Sequence, residues 1–110
     1  MPAVRLVRVE ANLGLTCFRA KSGRWVGVCE PLKLTVQADT WGDLLESFRD
    51  TLDAVLSDLL ATNELRQFFR DKGWVAGPIP RHDANVQFDV PFTPSVLPVS
   101  PHGSARALRQ

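Results

Sequence analysis

The sequence predicts an α+β domain, a three-stranded antiparallel meander plus a fourth strand, packed by one long and one short helix in the order β-β-β-α-α-β. Three observations carry this. Through Leu32, Leu34, Val36 and Ala38, apolar residues alternate with Lys33, Thr35 and Gln37, the period-two mark of a half-buried strand. From Trp41 the period becomes 3.6, through Leu44, Leu45, Phe48, Leu52, Val55, Leu56, Leu59 and Leu60, as in a helix with one apolar face. The extended segments before that helix are joined by connections too short for a parallel crossover, so they pair antiparallel.

Residues 4–20 read as extended: Val9, Ala11, Leu13, Leu15 and Cys17 share one parity, and Gly14 marks a bulge within the segment. Lys21-Ser22-Gly23 supplies turn chemistry. Residues 24–29 form the next strand. Glu30-Pro31 breaks it, because proline cannot donate to a sheet ladder, and residues 32–38 form the third. Asp39 or Thr40 caps the long helix, Thr40 with Asp43 making a variant capping box. The helix runs to residue 61 or 62, about 33 Å at about 1.5 Å per residue, and its stripe is wide enough to cover one face of the meander.

Asn63 reads as the N-cap of a second helix, with Glu64 in its first turn, Lys72 in its last, and Leu65, Phe68 and Phe69 on its apolar side. Gly73 is its left-handed terminator. Residues 76–83 are loop. Val86, Phe88, Val90 and Phe92 alternate with Gln87 and Asp89, giving a fourth strand that pairs either with the meander or with another copy of the chain. Pro91, Pro94, Pro98 and Pro101 rule out regular structure for much of the C-terminal stretch. The organisation expected is one domain over residues 1–92 and a proline-interrupted, flexible tail over 93–110, mobile from residue 100 unless a partner orders it.

A chain of 110 residues, 45% hydrophobic and 23% charged, has the composition of an ordinary globular domain. The net charge of +1 says little by itself, but its distribution does. Residues 41–61 hold five acids, Asp43, Glu46, Asp50, Asp53 and Asp58, against the single base Arg49. Such a helix suits a basic partner and makes a poor nucleic-acid surface. The two cysteines, Cys17 and Cys29, lie in strand-like sequence and fit buried thiols in a reducing cytosol. The charged, alternating N-terminus offers no secretion signal, and no apolar run approaches the roughly 20 residues of a membrane span. The expected location is cytoplasmic.

No grouping has the residue types and spacing that chemistry requires, and no cofactor or metal is expected. His82 and His102 stand singly, twenty residues apart, where a metal site needs three or four spaced ligands. Asp43, Glu46, Asp50 and Asp53 recur at helical spacing, the pattern of a hydrated face rather than a catalytic cluster. Trp25, Trp41 and Trp74 can stack on bases, but basic residues do not gather around them in the chain, so packing or an interface is expected instead. Arg106 and Arg109 are too few to signal nucleic acid.

The run Arg24-Trp-Val-Gly-Val-Cys-Glu-Pro-Leu-Lys-Leu-Thr-Val-Gln-Ala-Asp-Thr40 followed by the long helix resembles the HicB-like antitoxin family. Its members show a hydrophobic strand, a short proline-containing break, a second strand, and a threonine that opens a long helix. The likeness covers roughly residues 9–62. It implies a partial ribonuclease-H-like fold, in which three antiparallel strands and a helix are followed by a further strand. It also implies a non-catalytic part in a toxin–antitoxin pair, where the domain binds and masks a small basic ribonuclease toxin.

Three departures stand out. Many members carry a DNA-binding module after this domain, whereas only proline-interrupted sequence comes after Val90 here, so a stand-alone domain without direct nucleic-acid contact is expected. Residues 63–74 add a short helix. The glycine that often succeeds the break is missing, Lys33 standing near its place. On this reading Glu46, Asp50, Asp53 and Asp58 meet the basic partner, and Phe18 and Trp25 are its aromatic anchors. The alternative is a homo-oligomeric regulatory or structural module with no toxin, a dimer in which Val86, Phe88 and Val90 pair with their symmetry mates.

Overall fold

Nine elements of regular structure and one 3-10 turn occupy the computed structural model, which describes residues 4–79 and 85–98. The class is α+β, with two helices and two sheets rather than one extended meander. Of the described residues, 4–13, 48–79 and 85–92 form one unit, and 14–47 with 93–98 form the other.

The second unit holds the meander. Strands β2 (Gly14–Arg19), β3 (Trp25–Cys29) and β4 (Leu34–Ala38) pair antiparallel in sequence order. The loop between β2 and β3 closes with the Ala20 N–H donating to the Arg24 carbonyl at 2.8 Å. Gly23 there takes φ +90°, a conformation that only glycine adopts cheaply. Between β3 and β4, Glu30–Leu32 makes a single 3-10 turn that ends on Lys33 in the left-handed region, φ 56°. The third strand therefore begins at Leu34, not at Leu32.

Sheet order in this unit is β4-β3-β2-β7, with β7 (Thr93–Val96) parallel to β2 and Leu15 opposite Pro94. This corrects the expectation of a proline-interrupted, flexible tail from residue 93, which begins with a strand. The Leu97 N–H donates to the Cys17 carbonyl at 2.8 Å, so the odd-numbered residues of this stretch face β2. Pro94 turns its nitrogen to the open edge, where a missing donor costs nothing. Leu15, Cys17, Val26, Cys29, Val36 and Ala38 are buried.

The first unit is built on β1 (Arg5–Glu10), the middle strand of the order β5-β1-β6. Strand β5 (Val75–Ala76) pairs antiparallel with it, and β6 (Val86–Asp89) pairs parallel. The segment expected to be one bent strand is thus two strands in two sheets, parted at residues 11–13. Val7, Val9, Leu13, Leu15 and Cys17 keep one buried parity across the break, which is why alternation alone hides it. Ala76, expected to open the loop over residues 76–83, is instead the second residue of β5.

Helix α1 (Trp41–Ala61) has the predicted bounds, with Leu44, Phe48, Leu52, Leu56 and Leu60 buried at four-residue spacing. The Asp43 N–H donates to Thr40 Oγ1 at 3.1 Å, the predicted cap. Helix α2 (Leu65–Lys72) comes next, with Leu65 and Phe69 buried. Asn63 does not cap it; Glu64 holds that position without a side-chain capping bond to the helix. Asn63 instead takes φ 62° and ends α1, its N–H on the Leu60 carbonyl at 3.2 Å and the Glu64 N–H on the Leu59 carbonyl at 2.8 Å. Gly73 (φ 73°) and Trp74 close α2 in the same way, on the Arg70 and Phe69 carbonyls. Both ends are Schellman motifs.

Candidate protein-docking surface

In the second unit the β2–β3 hairpin decides which side chains meet. Closure at Ala20 and Arg24 sets Arg19 opposite Trp25 and Phe18 opposite Val26. Cross-strand partners share a sheet face and successive residues alternate, so Phe18 and Trp25 lie on opposite faces. The two expected anchors do not form one patch. Trp25 is half-buried, its ring meeting Trp41 edge-on at 5.1 Å between centroids. The Arg19 guanidinium lies 5.2 Å from the centre of the Trp25 ring, a cation–π contact worth about 0.5–1 kcal/mol at an exposed site. One basic side chain therefore does meet Trp25. Beside it, Arg24 pairs with Asp39 at 3.2 Å across an exposed surface, a bond of little energetic weight.

The acids of α1 separate into two groups. Asp43, Glu46, Asp50 and Asp58 are exposed. Arg49, the base among them, sits 5.6 Å from the centre of the Phe92 ring. Asp53 is half-buried and is committed inside the first unit, its Oδ1 accepting the Phe88 backbone N–H at 2.8 Å. The Arg5 N–H donates to the Asn85 carbonyl at 2.8 Å, so residues 85, 87 and 89 address β1 and Phe88 turns its N–H to the outer edge. Asp53 thus caps the open side of β6. Phe88 and Val90 are buried and Val86 half-buried, and in the chain itself β6 pairs with β1.

Cys17 and Cys29 are buried and not joined in a disulfide. Burial pushes the Cys17 thiol above its ordinary pKa. Among the described residues, no three of His, Cys, Asp and Glu come together as metal ligands, and no helix is long and apolar enough to cross a membrane. His82, His102, Arg106 and Arg109 lie outside the described residues.

Arg19 and Trp41 are not among the docking residues expected from the sequence. Counting outward from the Lys21-Ser22-Gly23 turn pairs residues 19 and 25, so Arg19 was within reach. Trp41, the first residue of α1, carries no local sign of a Trp25 contact. The chain matches no protein-family model, no characterised protein and no solved structure.

Proposed function

We propose that this chain is a non-enzymatic, HicB-like binding module that captures and masks a small basic ribonuclease toxin by protein–protein contact. The observation that carries the reading is the order of elements once α2, β5 and β6 are set apart as belonging to the first unit: β2, β3 and β4 antiparallel, then α1, then the further strand β7 joining the same sheet. That is the order the resemblance implies. Lys33 in the left-handed region adds to it, because the family's glycine belongs at such a position.

The docking chemistry rests on the exposed side chains. Asp50 and Asp58 offer carboxylates on α1 with Arg49 drawn off toward Phe92. The Trp25–Trp41 pair offers a half-exposed aromatic surface. Charges of this kind set association rate and salt dependence, and aromatic anchors supply most of the binding energy. A dimer seamed through Val86, Phe88 and Val90 must first take the Phe88 N–H from Asp53, so the toxin-binding reading is preferred to the homo-oligomeric one.

The test is the product of a neighbouring reading frame, a small basic protein with one reactive histidine. Mixed with this chain, it should form a complex on size exclusion and lose its RNA-cleaving activity. Uninhibited cleavage with no complex at low salt overturns the proposal.

A further inference from the structure

The first unit contains a groove that the toxin-binding reading does not use. It lies between α2 and β5, a wide-open concavity of about 550 Å³. Arg66 and Arg70 stand on its helical side, Phe69 and Trp74 are in its lining, and Val75 and Ala76 form the strand side. The lining holds two bases and no acid. Val75 is 59% exposed although apolar.

The strand side is an unfinished sheet edge. The Gly77 N–H donates to the Arg8 carbonyl at 3.3 Å across the register pair Val9↔Ala76. That pair is a non-hydrogen-bonded one, so Ala76 turns its own N–H and C=O away from β1 and toward the open side. Neither group has a backbone partner among the described residues. Two other edges each lose one outward donor: β6 to the Asp53 carboxylate and β7 at Pro94. Among the described residues, the edge at β5 carries no such guard.

Charge selects the occupant. Arg70 Nη1 donates to Gln67 Oε1 at 3.2 Å, and Gln67 is held in turn by Asp71 at 2.7 Å. The Arg66 side chain makes no hydrogen bond or ion pair among the described residues. The two arginines are one turn apart, a rise of about 6 Å. Alternate side chains on one face of a strand are spaced by about 6.6 Å, so carboxylates at positions i and i+2 of an extended peptide match them.

We propose that the α2–β5 groove binds an extended acidic segment of a partner protein. The segment adds to the edge of β5 through main-chain hydrogen bonds to Ala76 and sets alternate carboxylates on Arg66 and Arg70. Main-chain pairing supplies affinity in this mode and the side-chain contacts supply selectivity. A groove read only as a cationic patch would instead favour single-stranded nucleic acid, which the test separates.

The probe is a fluorescein-labelled peptide of alternating Glu and Val, six residues long and capped at both ends, titrated into the full chain and monitored by anisotropy. A Lys-Val peptide and a uridine hexamer are the comparators. The Glu-Val peptide should bind, the Lys-Val peptide should not, and Arg66→Glu with Arg70→Glu should weaken binding at least tenfold. Ala76→Pro leaves the β1–β5 bonds intact and removes only the outward donor, and it should also weaken binding at least tenfold. In the unaltered chain, hydrogen exchange at the Ala76 amide should slow when the peptide is present, a readout that does not depend on any variant folding. Absence of Glu-Val binding, unchanged Ala76 exchange, or tighter binding of the uridine hexamer overturns the proposal.

Discussion

The carboxylate of Asp53 on α1 and the backbone N–H of Phe88 on β6 are joined by a 2.8 Å hydrogen bond across 35 residues of chain. It ties a helix to the outer edge of a parallel strand and fills a donor that a sheet edge would otherwise present to a second molecule. Asp53→Ala should destabilise the protein by about 1–2 kcal/mol, read as a lower urea midpoint. It should also increase self-association by light scattering. Asp53→Asn keeps an acceptor in place and should recover most of both effects. Equal losses in the two variants would mean that the bond contributes little.

The position of Asp53 was partly legible. At about 100° per residue, Asp43 and Asp50 project roughly opposite Leu52, whereas Asp53 lies on the flank of the apolar stripe, where a carboxylate can reach neighbouring backbone. Helix α1 itself was readable because one period persists along its whole length and a threonine marks its start. Asn63 was misread because asparagine suits both an N-cap and a left-handed C-terminal position, and only the tertiary path of the chain chooses. Gly73 carried no such ambiguity. The break between β1 and β2 was invisible because buried parity continues through residues 11–13. Strand β7 was missed because proline's effect depends on which way its nitrogen faces, a fact of pairing that no local pattern contains.

Lys33 occupies the left-handed region at φ 56°, with its N–H on the Glu30 carbonyl at 3.1 Å. A side chain there costs about 1–2 kcal/mol, partly offset in a glycine variant by the greater freedom of its unfolded chain. Lys33→Gly should therefore raise stability by about 0.5–1 kcal/mol, a higher denaturant midpoint at constant slope. A lower midpoint would refute the conformational argument.

Cys17 is fully buried, and its thiol pKa is raised by that burial. In the unfolded chain the thiol ionises near pH ~8.5, while in the native state it stays neutral to higher pH. The unfolded state thus loses its proton first, and stability falls as pH rises from about 8.5 through the folded pKa. The stability of Cys17→Ala should fall less steeply over that window, measured by urea titration at stepped pH. A thiol-specific reagent should label Cys17 only at the rate of protein opening. Prompt labelling in native buffer would show that the strand is accessible.

Asp50 and Asp58 are exposed on α1 and hold no ion pair among the described residues. Reversing both to lysine should leave the fold intact, since neither touches the buried stripe. If the partner is basic, as proposed, complex formation between the two proteins should slow several-fold at low ionic strength. The difference should fade as salt approaches about 1 M, where the screening length falls to about 3 Å. Stopped-flow association across a salt series measures this directly. A slowing that persists at high salt would point to lost contact at those positions rather than lost steering. No slowing at any salt would remove the acidic face of α1 from the proposal.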